Sequence, residues 1–137
     1  IDNEIIEKIK TSPKIIEDYI NNYKFRFALR SVMDLARAGN KYLADTEPWK
    51  VVKEDETRAQ TILHVALQIV ANLAVLSQPF LPNTAKKLSQ MLNINESSWE
   101  ATNNSILKEG HIINKASLLF EKIEDSDIEL QINKLNS

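Results

Sequence analysis

Cysteine is absent from this chain of 137 residues, which excludes disulfide staples and thiolate metal sites. That absence is in keeping with a reducing compartment, so a cytoplasmic location is expected. Glycine occurs only at Gly39 and Gly110, too sparsely to build a glycine-rich phosphate loop. Proline occurs four times, so long stretches hold nothing that breaks a helix. No uninterrupted apolar run reaches membrane-spanning length; that at 71–76 contains Asn72 and ends at Ser77-Gln78, and no membrane is expected. No basic segment leads into an apolar one, so no secretory leader is read. The first residue is Ile1 rather than methionine, and the chain is read as a piece of a longer protein.

What is present is a 43% hydrophobic composition, enough for one modest core that must be held together by burial alone. The net charge of −2 argues against a uniformly basic nucleic-acid binder. The charge is nonetheless uneven. Lys24, Arg26, Arg30, Arg37, Lys41, Lys50 and Lys53 face only Asp34, Asp45 and Glu47 in the same stretch, a local excess of four positive charges. From Glu121 onward the balance is acidic.

The periodicity predicts helices. Ser12-Pro13 reads as a cap followed by proline at a first helical position, giving a short helix over 3–10 and a second over 13–22. A long third helix over 24–47 carries Phe25, Ala28, Leu29, Val32, Leu35, Ala36, Gly39, Tyr42 and Leu43 at spacings of three and four. Gly39 on that apolar face predicts close approach of another helix, and Pro48 ends the run. Thr57 and Gln60 fit a capping box for a fourth helix reaching about Gln78. That helix is apolar on most sides and therefore central. Pro79 and Pro82 precede a shorter helix over 83–92. The stretch 93–105 is polar and loop-like, the segment around Asn114 irregular, and 125–135 a final helix. The expected fold is an all-α helical bundle over 1–95 with an irregular C-terminal extension over 96–137 packing on it.

At about 100° per residue, Arg26, Arg30, Arg37 and Lys41 fall within roughly 60° of one another, opposite the apolar face of the third helix. Such a stripe is either a solvated face or a track for phosphates. It runs towards Pro48-Trp49. Trp49 either plugs the bundle end, with a partner for its indole N–H, or offers a flat face on which an unpaired base stacks. Lys50 and Lys53 beside it suit the flanking phosphates. Asn40 favours bracing a neighbouring helix or the Pro48 turn over reading a base edge. Tyr42 reads as core and Trp99 as an anchor in the polar loop. His64 and His111 have no second ligand at a metal-binding spacing, and no metal site is expected. The acidic turn 54–56 suits a helix N-terminus. No catalytic residue is assigned.

The ordered string FRFALRSVMDLARAGNKYLADTEPWKVVKED, followed by an apolar helix ending LSQPFLPNTAKKL and later by LLFEKIED, resembles the anticodon-binding domain of methionyl-tRNA synthetases. The shared pattern is Asn40-x-Tyr42 on a long helix, Pro48-Trp49 six residues after the tyrosine, and the PFLP exit. The resemblance spans about 2–127. It implies a class I, ATP-dependent methionine–tRNA ligase of which this piece binds the CAU anticodon of initiator and elongator methionine tRNAs. ATP, with zinc as a further candidate, would belong to the catalytic part, and no cofactor is implied for this piece. Trp49 corresponds to the tryptophan that stacks on the first anticodon base, and Pro48 sets its position. Asn40 is carried as a further anticodon contact and Arg30, Arg37, Lys41, Lys50 and Lys53 as backbone contacts. The family's first helix, with its base-edge readers, lies before Ile1, so an apolar face on the third or fourth helix is expected to be bare and prone to self-association. Two other readings stand beside this one: a helical scaffold for a partner protein, suggested by the acidic tail, and the helical domain of a sister synthetase.

Overall fold

The computed structural model describes residues 1–95, 98–103 and 105–136, the side chain of Asn103 excepted. The expected polar loop and the step at 95/96 fall partly on residues 96, 97 and 104, which lie outside the described residues, as does residue 137. Six α-helices form among the described residues: α1 Asp2–Asn21, α2 Phe25–Thr46, α3 Pro48–Val51, α4 Glu56–Leu76, α5 Pro82–Met91 and α6 Asp125–Asn136. A 3-10 helix, Trp99–Asn103, lies between the last two, and no strand occurs among the described residues. The fold is all-α, as the periodicity requires.

α4 is the centre. It touches α1, α2, α3, α5 and the 3-10 helix. Ile62, Val65, Ile69, Val75 and Leu76 are buried on it. By length and composition α4 would pass as a membrane span, with a mean hydropathy of 1.6 over its most apolar stretch. More than half of that stretch is buried by neighbouring helices. Its apolar character thus serves the bundle core. The cap differs from the expected one: Asp55, not Thr57, accepts from Arg58 N at 2.9 Å. A carboxylate at this position answers both an unpaired N–H and the positive end of the helix dipole, so it wins over the hydroxyl two residues on.

The two helices expected on either side of Pro13 are one, α1. The hydroxyls read as cap material turn backward instead, with Thr11 Oγ1 donating to Glu7 O at 2.9 Å and Ser12 Oγ to Lys8 O at 2.7 Å. An interior proline costs a helix about 3 kcal/mol. Burial of Ile5 and Ile9 before Pro13 and of Ile16 after it, along one face, offsets that cost.

α2 buries Ala28, Val32, Leu35 and Tyr42 against α1 and α4. Gly39 marks the close crossing: a Cβ there would lie 3.1 Å from Ile69 Cγ2. Phe25 and Leu29, expected in the core, are exposed at 54% and 37%, and Met33 continues their stripe. They sit on the same side of α2 one turn apart, where no described element covers them.

The chain after α5 is tied back by polar groups. Gln68, only 8% exposed, receives Ile106 N (3.0 Å) and Leu107 N (3.2 Å) on Oε1. Its Nε2 donates to Ser105 Oγ (2.8 Å) and Leu107 O (2.5 Å). Leu107 then joins Ala71 and Leu92 in a second small core. Further on, Asn114 N donates to Met91 O at 2.8 Å, and His111 Nε2 bonds Leu92 O at 2.7 Å. α6 has no buried residue.

Candidate nucleic-acid interface

α2 does not simply stop at a proline. Its last turn closes with Thr46 Oγ1 donating to Tyr42 O (2.7 Å) and Glu47 N donating to Leu43 O (3.0 Å). Glu47 then adopts a left-handed conformation, φ 42° and ψ 56°, which costs a non-glycine residue about 1–2 kcal/mol. The reversal opens a second, one-turn helix, α3, with Pro48 at its first position, where the missing N–H is no loss. Pro48 is buried, and Val51 packs against the main core. Trp49 lies between these anchors and is 56% exposed. Glu47 O receives Lys50 N and Val51 N, and Val51 O receives Asp55 N at 2.8 Å, so the turn is braced at both ends. The tryptophan is a side chain of a short rigid turn, presented to solvent by a buried proline.

Beneath the turn is a polar cluster that sequence reasoning missed. Arg58, in the first turn of α4, forks onto Asp2 of α1: Nη1 reaches Oδ2 and Nη2 reaches Oδ1 at 2.9 Å. The Tyr42 hydroxyl donates to the same Oδ1 at 2.9 Å. The Arg58 fork, aided by the Tyr42 hydroxyl and opposed by partial burial, lowers the Asp2 carboxyl to about 2. Burial first, then the bond to Asp2, pushes the Tyr42 hydroxyl up to about 12. Tyr42 was legible as core, and it is 3% exposed. Asp2 and Arg58 stand 56 residues apart, and no local pattern pairs them.

The basic stretch is exposed, and three of its seven cations are paired with acids one turn away. Arg37 pairs with Asp34 at 2.8 Å, Lys41 with Asp45 at 2.6 Å and Lys50 with Glu47 at 2.8 Å. These are the three acids of the stretch, so Lys24, Arg26, Arg30 and Lys53 carry the local excess with no carboxylate within 4.0 Å among the described residues. Lys53 follows the Trp49 turn directly. Arg30 and the two before it begin roughly 24 Å up α2 at 1.5 Å per residue.

The brace expected of Asn40 is not made. Its side chain is exposed and has no hydrogen bond among the described residues. It lies two turns before Glu47 on the same side of α2, so the carboxylate-paired Lys41 is its neighbour and its amide faces water. Trp99, by contrast, packs against the main core as an anchor. His64 is exposed beside Gln68, and His111 is tied to Leu92 O. No group of three or more His, Cys, Asp or Glu side chains suited to a metal occurs among the described residues.

Comparison with known proteins matches residues 1–136 to the anticodon binding domain of methionyl tRNA ligase. The chain belongs to this family. It is 52% identical over 135 residues to the methionine–tRNA ligase of Cytophaga hutchinsonii and 50% identical over 135 residues to that of Bacteroides fragilis, covering 98% of this chain and 20% of each relative. It is 48% identical to the methionine–tRNA ligase of Christiangramia forsetii, with 100% of this chain and 21% of the relative covered. The chain thus spans about a fifth of the length of the curated relatives it matches. The fold is that of part of the apo Mycobacterium tuberculosis methionyl-tRNA synthetase crystal structure, with a TM-score of 0.81 at 20% identity over 90% of this chain and 26% of that one. The exposed Trp49 and the buried Pro48 share one turn, and Lys50 and Lys53 follow them.

Proposed function

We propose that this domain binds the CAU anticodon of methionine tRNAs, initiator and elongator alike, by stacking a splayed anticodon base on Trp49. The whole protein would then join methionine to its tRNA with ATP in the cytoplasm. ATP, and any zinc, would bind in the part outside these residues. The observation that carries the reading is the exposed indole on a turn that is anchored by the buried Pro48 and the partly buried Val51. A buried plug would have the reverse arrangement. Lys50 and Lys53 stand where the phosphates flanking a stacked base would pass, and the free amide of Asn40 is available to a base edge. Arg30, Arg37 and Lys41 continue as backbone contacts along the same face.

A base stacked on an aromatic ring is worth about 1–3 kcal/mol. Trp49→Ala is therefore expected to weaken binding of a CAU-loop RNA hairpin by about 5- to 150-fold, and Trp49→Phe by much less. In the whole enzyme, tRNA charging should suffer while methionine activation does not. Equal losses in both, or no loss of hairpin binding, would overturn the reading.

The stripe Phe25, Leu29 and Met33 supports a second element of the proposal. In the longer protein this face would receive a helix from outside residues 1–137, and the isolated chain would self-associate through it. Sedimentation of the chain and of Phe25→Ser/Leu29→Ser tests this; a concentration-independent monomer in both would refute it.

A further inference from the structure

The turn that carries Trp49 hangs between two legs, the end of α2 and the start of α4. Inside the turn, backbone bonds from Lys50, Val51, Val52, Lys53, Glu54 and Asp55 each find an acceptor within it, so α3 moves as one piece with its legs. What sets the indole's direction is then the relation between the legs. Tyr42, on one leg, and Arg58, on the other, converge on a single carboxylate, that of Asp2 at the start of a third helix. Two groups from two helices meet at the pair of oxygens carried by a third, and the arginine engages both. A fork of this kind fixes angle as well as distance, which a lysine at the same place would not do.

We propose that the Asp2–Arg58–Tyr42 clasp is a positioning device for Trp49, holding the two legs of its turn at the separation and rotation that present the indole to RNA. This rests on the RNA-stacking reading of Trp49. The clasp's exposure argues for a geometric rather than a stabilising role. The Arg58 and Asp2 side chains are 38% and 26% exposed, and ion pairs so open to water contribute little to folding. Core burial of Leu35, Ile62 and Ile69 already holds α2 on α4. That packing fixes the helix axes by non-directional contact, whereas the fork adds a rotational constraint at the one place where both legs end. The clasp also ties the tip to the first turn of α1.

The test uses the 137-residue chain in a Trp99→Phe background, so that fluorescence reports Trp49 alone, since the chain has two tryptophans. Arg58→Met, Arg58→Lys and Tyr42→Phe are compared by three readouts: acrylamide quenching of Trp49, affinity for an RNA hairpin with a CAU loop, and the urea midpoint. Arg58→Met and Arg58→Lys are expected to alter Trp49 quenching and to lower hairpin affinity roughly 3- to 10-fold, with little change in midpoint. The swap Asp2→Arg with Arg58→Asp should recover part of both. Unchanged quenching and affinity in all three variants, with Trp49→Ala still losing the hairpin, overturns the clasp and leaves the RNA reading standing. Affinity losses that merely track losses in urea midpoint also overturn it. If Trp49→Ala binds normally, the RNA reading fails, and the quenching data alone decide whether the clasp orients the ring. Should the Arg58 variants fail to fold, Asp2→Asn, which keeps the shape of the carboxyl group and weakens the fork, carries the test with the same outcomes.

Discussion

Gln68→Leu tests how the chain beyond α5 is held to the bundle. The wild-type amide answers the backbone N–H groups of Ile106 and Leu107, the carbonyl of Leu107 and the hydroxyl of Ser105. Leucine fills the same space and answers none of them. Ser105 is exposed and Ile106 half-buried, so water can replace those partners at small cost. Leu107 is 2% exposed; its C=O keeps the Ser105 hydroxyl at 3.0 Å, but its N–H would be orphaned in an apolar setting. A buried orphan costs about 1–3 kcal/mol, which sets the loss unless the segment detaches. Detachment instead exposes Leu107 and uncovers Ala71 and Leu92, which costs a similar amount in lost burial. Either route lowers the melting temperature by on the order of 5 °C for a domain of this size. The assay is amide hydrogen exchange with thermal melting: the Ile106 and Leu107 amides should lose protection first, while those of α2 and the middle of α4 keep theirs. Unchanged protection at 106 and 107 would show that the latch does not hold this segment.

Asp55→Ala should cost about 1 kcal/mol in a urea titration, and Thr57→Ala almost nothing; the reverse order would restore the Thr57 cap. Acid should weaken the clasp. The Asp2 carboxyl titrates near about 2 when folded against 3.8 when free, so the stability it brings is complete above that free value and is lost as pH falls towards 2. The pair is open to water, so this contribution is small: wild-type and Arg58→Met urea midpoints should differ little at neutral pH and converge down this acid limb. At the other end, the Tyr42 hydroxyl is held at about 12 against 10.0 when free, so its contribution is present below pH 10.0 and is lost as pH rises towards 12. Tyr42→Phe should flatten that alkaline limb, and equal limbs in both proteins would contradict the bond to Asp2.

What the sequence made legible was whatever depends on local periodicity. The 3.6-residue spacing in α2 and α4, the scarcity of glycine and the prolines at 48, 79 and 82 were enough to place the bundle helices, because an apolar face and a breaker act over a single turn. Gly39 was also legible, since a glycine on an apolar helical face has few uses other than close approach, and Ile69 fills the space. Three features were not. Pro13 reads as a boundary, because the propensity argument is local while the burial that overrides it comes from α2 and α4. Phe25 and Leu29 read as core, because periodicity finds the apolar face but cannot say whether anything covers all of it. The clasp and the Gln68 latch join residues dozens of positions apart and leave no trace in any window. The exposure of Trp49 was open between two readings until Pro48 and Val51 were seen to anchor its turn.

The charge arrangement bears on how an RNA site of this kind would work. Three of the five cations assigned to or beside the tip, Arg37, Lys41 and Lys50, already hold a carboxylate one turn away. Exposed pairs of this sort are worth about 0–1 kcal/mol, so exchanging carboxylate for phosphate costs little. The displaced acid stays within a turn, however, and repels the incoming phosphate. Lys53 is the free cation nearest Trp49, while Arg30, Arg26 and Lys24 lie beyond about two Debye lengths at physiological salt. Binding at the tip should therefore combine stacking with these contacts, and affinity should fall with salt by a slope of about −0.7 for each single-stranded phosphate held. A basic patch would bind RNA indiscriminately, whereas a stacked ring with few free charges can bind only where a base is already splayed. On this reading the pairing of Arg37, Lys41 and Lys50 restrains the tip from holding arbitrary RNA.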